Sequence, residues 1–253
     1  MTLALVEVAK STRIAVESKM NYFISQEIFN WHNMSSTQRY NGENIKECYD
    51  YLNHAESLIV DFKDKFHVQD AIRNLKVVVD KRIKQIERVY DFKSYFPKQH
   101  ILETYKELGI VKGFVIKKLF TIRNDIEHNE LDYSDVEQCH DLLDTVWYFL
   151  KSTDEMVYTA NTGIEVAEDD DIEDEEPWVG IDIDSPKMKD VEIRGKVNKD
   201  FLSKESFENA IEIENVEIKE VDEERIYFTG NIVLTNNTKI LIAKKIFINR
   251  TPN

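Results

Sequence analysis

The period of the hydrophobic repeat changes part-way along this chain, and that change constrains the fold more than any other feature. In the first part apolar residues recur every three or four positions, as in Ile72, Leu75, Val79, Ile83, Ile86 and Val89. That spacing lines one face of an α-helix. Later, in Val191-Glu192-Ile193-Arg194-Gly195-Lys196-Val197, apolar and polar residues alternate, as in a strand with one buried face. Between the two lies Glu168-Asp169-Asp170-Asp171-Ile172-Glu173-Asp174-Glu175-Glu176-Pro177. An acidic run closed by proline has the composition of a solvated linker. The expected fold class is therefore α+β. Residues 1–160 would form an N-terminal all-α up-and-down helical bundle, 161–177 an acidic linker, and 178–253 a small antiparallel β domain.

Within the helical part, residues 3–31 read as a first long helix, because the stretch has good helix formers and no Gly or Pro. Residues 35–42 read as a polar break ending in the Asn41-Gly42 turn signal. Further helices are expected from about Glu43 to Lys63, from Gln69 to Phe92 and from Lys98 to about His128, the last weakened by Gly109 and Gly113. Ser134, with Glu137 three residues on, has the capping-box pattern of a final helix reaching about Tyr158. In the β part, 191–197 and 211–218 alternate cleanly. Residues 226–234 and 240–248 read as a further pair of strands joined through Thr235-Asn236-Asn237-Thr238.

The formal net charge of −15 would ordinarily exclude nucleic acid as a partner, so its distribution matters. Residues 1–160 carry 21 basic and 25 acidic side chains, residues 161–190 carry 2 and 12, and residues 191–253 carry 10 and 11. Most of the imbalance sits in one short segment, and the helical part, close to neutral, remains open to RNA. No apolar run approaches the length of a membrane span. The N-terminus meets Glu7, Lys10 and Arg13 too early for a signal peptide. Cys48 and Cys139 lie far apart and lack CxxC spacing, which fits two reduced, buried thiols in a cytoplasmic protein. There is no HExxH, Gly-rich phosphate loop or nucleophile elbow. The acidic run lacks the bend glycine of a calcium loop.

One stretch does carry chemistry: Ile122-Arg123-Asn124-Asp125-Ile126-Glu127-His128. In a helix Asn124 and His128 share a face, whereas Arg123 shares one with Glu127. The plain reading is a surface Arg–Glu pair and a histidine at a helix C-terminus. The surroundings favour more. From Leu108 to Asn124 there is no acidic residue, while Lys112, Lys117, Lys118 and Arg123 are basic. A histidine with a pKa near 6.5 can activate a ribose 2′-OH or protonate a leaving 5′-oxygen. Arginine offers a planar, permanently charged donor to the developing phosphate charge.

The Arg-Asn-x-x-x-His form, near the end of a penultimate helix and followed by one last amphipathic helix, resembles the HEPN family over residues 1–160. That resemblance implies a metal-independent endoribonuclease without a cofactor, working as a homodimer whose two motifs face each other across a groove. His128 would transfer protons, Arg123 would stabilise charge and Asn124 would shape the site, with Lys112, Lys117 and Lys118 binding RNA. The settings implied are toxin–antitoxin, phage defence or RNA processing, with a protein antitoxin or trigger as a further partner. Where minimal HEPN toxins have a tyrosine two residues after the histidine, this chain has Glu130, which puts silencing by nucleotidylation of that tyrosine in doubt. The alternative is a non-catalytic HEPN module that binds RNA or protein, with the β domain engaging the partner. In the ribonuclease reading the acidic run could lie over the basic groove and compete with RNA.

Overall fold

The structure, a computed structural model, describes residues 20–41, 44–128, 136–168, 177–185 and 187–248. Side chains are described for all of these except 123–128, 136 and 248. Residues 3–19 of the expected first helix, the Ser134 cap and positions 169–176 of the acidic run lie outside the described residues.

Three of the expected helices are present. The first, α1 (Lys46–Val60), buries Cys48, Leu52, Ala55 and Ile59 along one stripe. The second, α2 (Lys65–Tyr90), has its first turn capped by Asp64, whose carboxylate accepts from the backbone N–H groups of Phe66 and His67 at 2.8 and 3.3 Å. An aspartate there satisfies amides that have no partner within the helix. The helix ends where Asp91 adopts a left-handed conformation, φ 53°, a usual stop signal. The region from 98 to 128 divides at Gly109, φ 70°. Around it lie a short α3 (Phe92–Tyr95), α4 (Ile101–Glu107) and α5 (Gly113–His128). The last of the group is α6 (Val136–Tyr158).

Residues 1–160 are nevertheless not an all-α bundle, and the expectation of an N-terminal helical domain is corrected here. Tyr22–Ser25 form strand β1 and His32–Tyr40 form β2, separated by a 3₁₀ turn over Gln26–Asn30. Both belong to an eight-stranded sheet with β3 (Thr159–Ala167), β4 (Trp178–Ile183), β5 (Val191–Asn198), β6 (Leu202–Ser203), β7 (Ala210–Glu220) and β8 (Arg225–Ile232). The order across the sheet is β2-β3-β4-β5-β8-β7-β1-β6, and every described pairing is antiparallel. Non-local pairing overrides helix propensity here. β1 lies between β7 and β6, so partners far along the sequence supply its hydrogen bonds. β2 is an edge strand exposed at eight of its nine positions, so it carries no alternation that a sequence reading could detect.

A second correction lies near the C-terminus. Residues 240–248, expected as a strand, belong to helix α7 (Asn236–Ile248). Thr235 caps it: its hydroxyl accepts from the Thr238 N–H at 3.1 Å, and its carbonyl accepts from the Lys239 N–H at 3.0 Å. The apparent turn signal is therefore a helix start. Ile242, Ala243, Lys245, Ile246 and Phe247 are all buried. An apolar run buried on most sides reads equally as strand or helix by periodicity. Phe247 packs edge-on to Tyr90 and Phe92, and Lys244 pairs with Glu107 at 2.7 Å. Lys245 donates to the Trp31 carbonyl, and burial lowers its pKa.

Buried side chains of the helices and of the sheet form one continuous cluster. Along β5 and β8 alternate residues are buried, with Val191, Ile193 and Val197 facing the core beside Ile226, Phe228 and Ile232. Gly195 sits where β5 runs closest to β4, and a Cβ there would collide with the Trp178 carbonyl. A larger residue would have to push two paired backbones apart.

The helices are joined by a buried polar tie. Arg82 of α2 is completely buried, and its guanidinium donates to Asp154 at 2.8 Å, Thr153 at 3.2 Å and the Leu150 carbonyl at 3.3 Å, all on α6. The Tyr49 hydroxyl of α1 donates to the other Asp154 oxygen at 2.5 Å. Cys48 is also buried and donates to Gln85 at 3.4 Å, and burial raises its thiol pKa.

Two outcomes follow from this packing. Asp154→Ala would leave the Arg82 charge buried and poorly paired, and is expected to cost about 3 kcal/mol in urea unfolding. Neither cysteine is in a disulfide, and both are buried. Ellman's reagent should therefore titrate neither thiol in the native protein and both in denaturant.

Candidate functional site

The basic stretch and the Arg-Asn-x-x-x-His motif both fall on α5. Its buried face is built by Val115, Ile116, Leu119 and Ile122, which anchor it against the rest of the core. At roughly 100° per residue, positions 117, 121, 124 and 128 form one stripe along the opposite side. Lys117 is exposed and Thr121 half-exposed, which fits that register. Asn124 and His128 thus occupy backbone positions on the stripe that Lys117 begins, one turn apart near the helix C-terminus. Position 123 lies roughly 140° around the axis from position 128. The side chains of Arg123, Asn124 and His128 lie outside the described residues.

The three lysines differ in their circumstances. Lys112 is exposed just before the helix, and its carbonyl accepts from the Val115 and Ile116 N–H groups at 3.0 and 3.2 Å. Lys117 points away from the buried face. Lys118 is half-exposed and pairs with Asp141 of α6 at 3.3 Å, so it spends part of its charge within the protein. Phe120 packs against the His100 ring, with centroids 4.6 Å apart, and ties α5 to the start of α4. Between them the flanking contacts with α4 and α6 fix the rotation of α5 about its own axis. That rotation decides which residues face solvent.

The helices α1, α2, α5 and α6 pack on one another, with α2 touching the other three. Trp147 and Tyr148 are exposed on α6, 43% and 61% respectively. Their rings meet edge to face, and the Lys151 ammonium lies over Trp147 and over Tyr49. They are not core residues.

With this geometry in view, comparison with known proteins gives a plain result. No family model, curated protein or solved structure matches this chain.

Two groups of residues escaped the sequence reading. Arg82 stands three residues after Val79 and four before Ile86, on the apolar stripe of α2. A charged residue in register with a buried stripe was the available signal that it is paired inside. The second group is a set of basic residues on α2, α3 and the β4–β5 connection, which the sequence scatters and the fold assembles.

The exposed Lys118–Asp141 pair should matter little to stability. Asp141→Asn is expected to change the unfolding free energy by less than about 1 kcal/mol, measured by urea titration.

Proposed function

We propose that this protein is a metal-independent endoribonuclease that cleaves RNA by attack of the ribose 2′-OH on the adjacent phosphate. The observation that carries this reading is the register of α5. Helical spacing puts positions 117, 124 and 128 on one stripe, on which Lys117 is exposed, and no acidic residue falls between 108 and 124. The packing of α2, α4 and α6 against that helix supports it as a rigid platform. Rigid elements hold catalytic groups better than loops do.

The chemistry follows from the residue types. His128 takes the 2′-OH proton as the new O–P bond forms, and a second histidine or water returns a proton to the departing 5′-oxygen. The products are a 2′,3′-cyclic phosphate and a 5′-hydroxyl end. Arg123 neutralises charge building on the equatorial oxygens. Position 123 is well round the helix from position 128, so a single helix presents the two groups to different sides. A homodimer that brings two α5 C-termini together would let the Arg123 of one copy serve the His128 of the other. DNA lacks the nucleophile and would be spared.

The cellular setting proposed is cytoplasmic, in toxin–antitoxin, phage-defence or RNA-processing systems. Among the described residues no helix is long and apolar enough to cross a membrane.

Wild-type, His128→Ala and Arg123→Ala proteins incubated with total RNA in EDTA provide the test. Cleavage by wild type alone, leaving cyclic phosphate ends, is the expected result. A loss of about 10²–10⁴-fold in rate is expected for His128→Ala. Equal cleavage by all three would sink the assignment.

A further inference from the structure

A concavity of about 660 Å³ opens between α2, α3 and the connection from β4 to β5. Five of the side chains lining it are cationic and two are acidic. Lys81, Lys84 and Arg88 recur at i, i+3 and i+7, which puts them on one face of α2. Lys93 follows just beyond the left-handed turn at Asp91. Lys187 comes from the opposite side, nearly a hundred residues later in the chain.

The Lys187 connection is held in place. The Met188 N–H donates to the Ser185 carbonyl at 2.7 Å, the Lys187 N–H donates to the Ser185 hydroxyl at 3.3 Å, and the Asp184 N–H donates to the Asp190 carbonyl at 3.2 Å. Met188 itself is buried in the core. The lysine is therefore carried on a pinned turn that aims it at α2.

The two acids offset only part of this charge. Glu47 is taken by Lys81 at 2.7 Å. Glu87 is turned towards the backbone, where it accepts from the Lys93 N–H at 3.3 Å. Lys93 also interacts electrostatically with Glu87, whereas Lys84 and Lys187 make no ion pair among the described residues. Cations gathered with too few counter-charges repel one another. In a chain of net charge −15 such a cluster runs against composition, and it is assembled by tertiary structure. A surface that merely needed solubility would have no reason to gather its cations into a concavity.

We propose that this concavity binds a small molecule carrying two or more phosphate groups, such as a nucleoside triphosphate. Five cations against two acids suit a multivalent anion better than a single carboxylate, and phosphate oxygens accept several charge-assisted hydrogen bonds at once. The volume falls within the range of about 300–1,000 Å³ usual for small-molecule sites. The site stands apart from the α5 motif and does not depend on the ribonuclease reading.

The test is titration calorimetry of the full chain with two probes, ATP and sodium tripolyphosphate. Both should bind with micromolar dissociation constants. The Lys84→Glu/Lys187→Glu double variant should weaken binding about tenfold or more. A control, Lys63→Glu/Lys219→Glu, makes the same change of net charge at exposed residues outside the cavity and should bind as wild type does. Thermal melts of both variants establish that each is folded. Tighter binding of ATP than of tripolyphosphate would show that the nucleoside is recognised, and equal binding that the phosphate chain alone is. No heat from either probe up to ~1 mM, or equal weakening by both double variants, would overturn the proposal. Binding of a ten-nucleotide RNA with neither small probe bound would replace it with a nucleic-acid surface. The readout is heat of binding, so failure of RNA cleavage leaves it untouched.

Discussion

The Arg82 tie is the constraint on which the helical part depends. A guanidinium with no exposure to water is costly to bury, and its three hydrogen bonds offset part of the cost, its Nε having no partner among the described residues. Those acceptors come from a single stretch of α6, the carbonyl of Leu150, the hydroxyl of Thr153 and the carboxylate of Asp154. The side chains must therefore meet in one register, and a slip of α6 by one turn would strand the charge. Tyr49 extends the same constraint to α1 through the second carboxylate oxygen. Three helices are aligned by one buried cation. Apolar packing then closes round it without having to choose the register itself.

That alignment reaches both proposed sites. α5 packs on α2 and α6, so its rotation, and with it the exposure of Lys117, is set against helices that Arg82 ties together. The cationic concavity is built on the same α2 surface, with Lys81 and Lys84 flanking Arg82 in sequence. One helix thus buries a cation on its inner side and displays others on its outer side. The inner charge specifies the packing, and the outer charges are available for a ligand.

The sheet makes a different use of non-local contacts. β1 and β2, next to each other in sequence, stand near opposite edges of the eight strands. The chain between them is a short 3₁₀ turn starting from Ser25. Ile28 and Trp31 are buried there, and Trp31 meets Phe201 edge to face with ring centroids 5.4 Å apart. The Trp31 carbonyl receives Lys245 from α7. This short crossing therefore joins the N-terminal strands, the sheet and the last helix in one layer of packing.

The sequence by itself determined the elements whose periodicity is complete within a short window. α1, α2 and α6 announce themselves by apolar residues every three or four positions, and β5 and β7 by alternation, because a half-buried element writes its own period into the chain. The place of the arginine-asparagine-histidine stretch at the end of a helix was legible too. Tertiary structure alone decided the rest. β1 and β2 take their hydrogen bonds from strands distant in sequence, and β2 buries too little to leave a pattern. α7 is buried on so many sides that a helical period is lost. Lys187 joins Lys84 and Lys93 only after the β4–β5 turn has folded against α2. Local spacing records which face of an element meets the core. Which elements meet one another depends on contacts the local sequence does not contain.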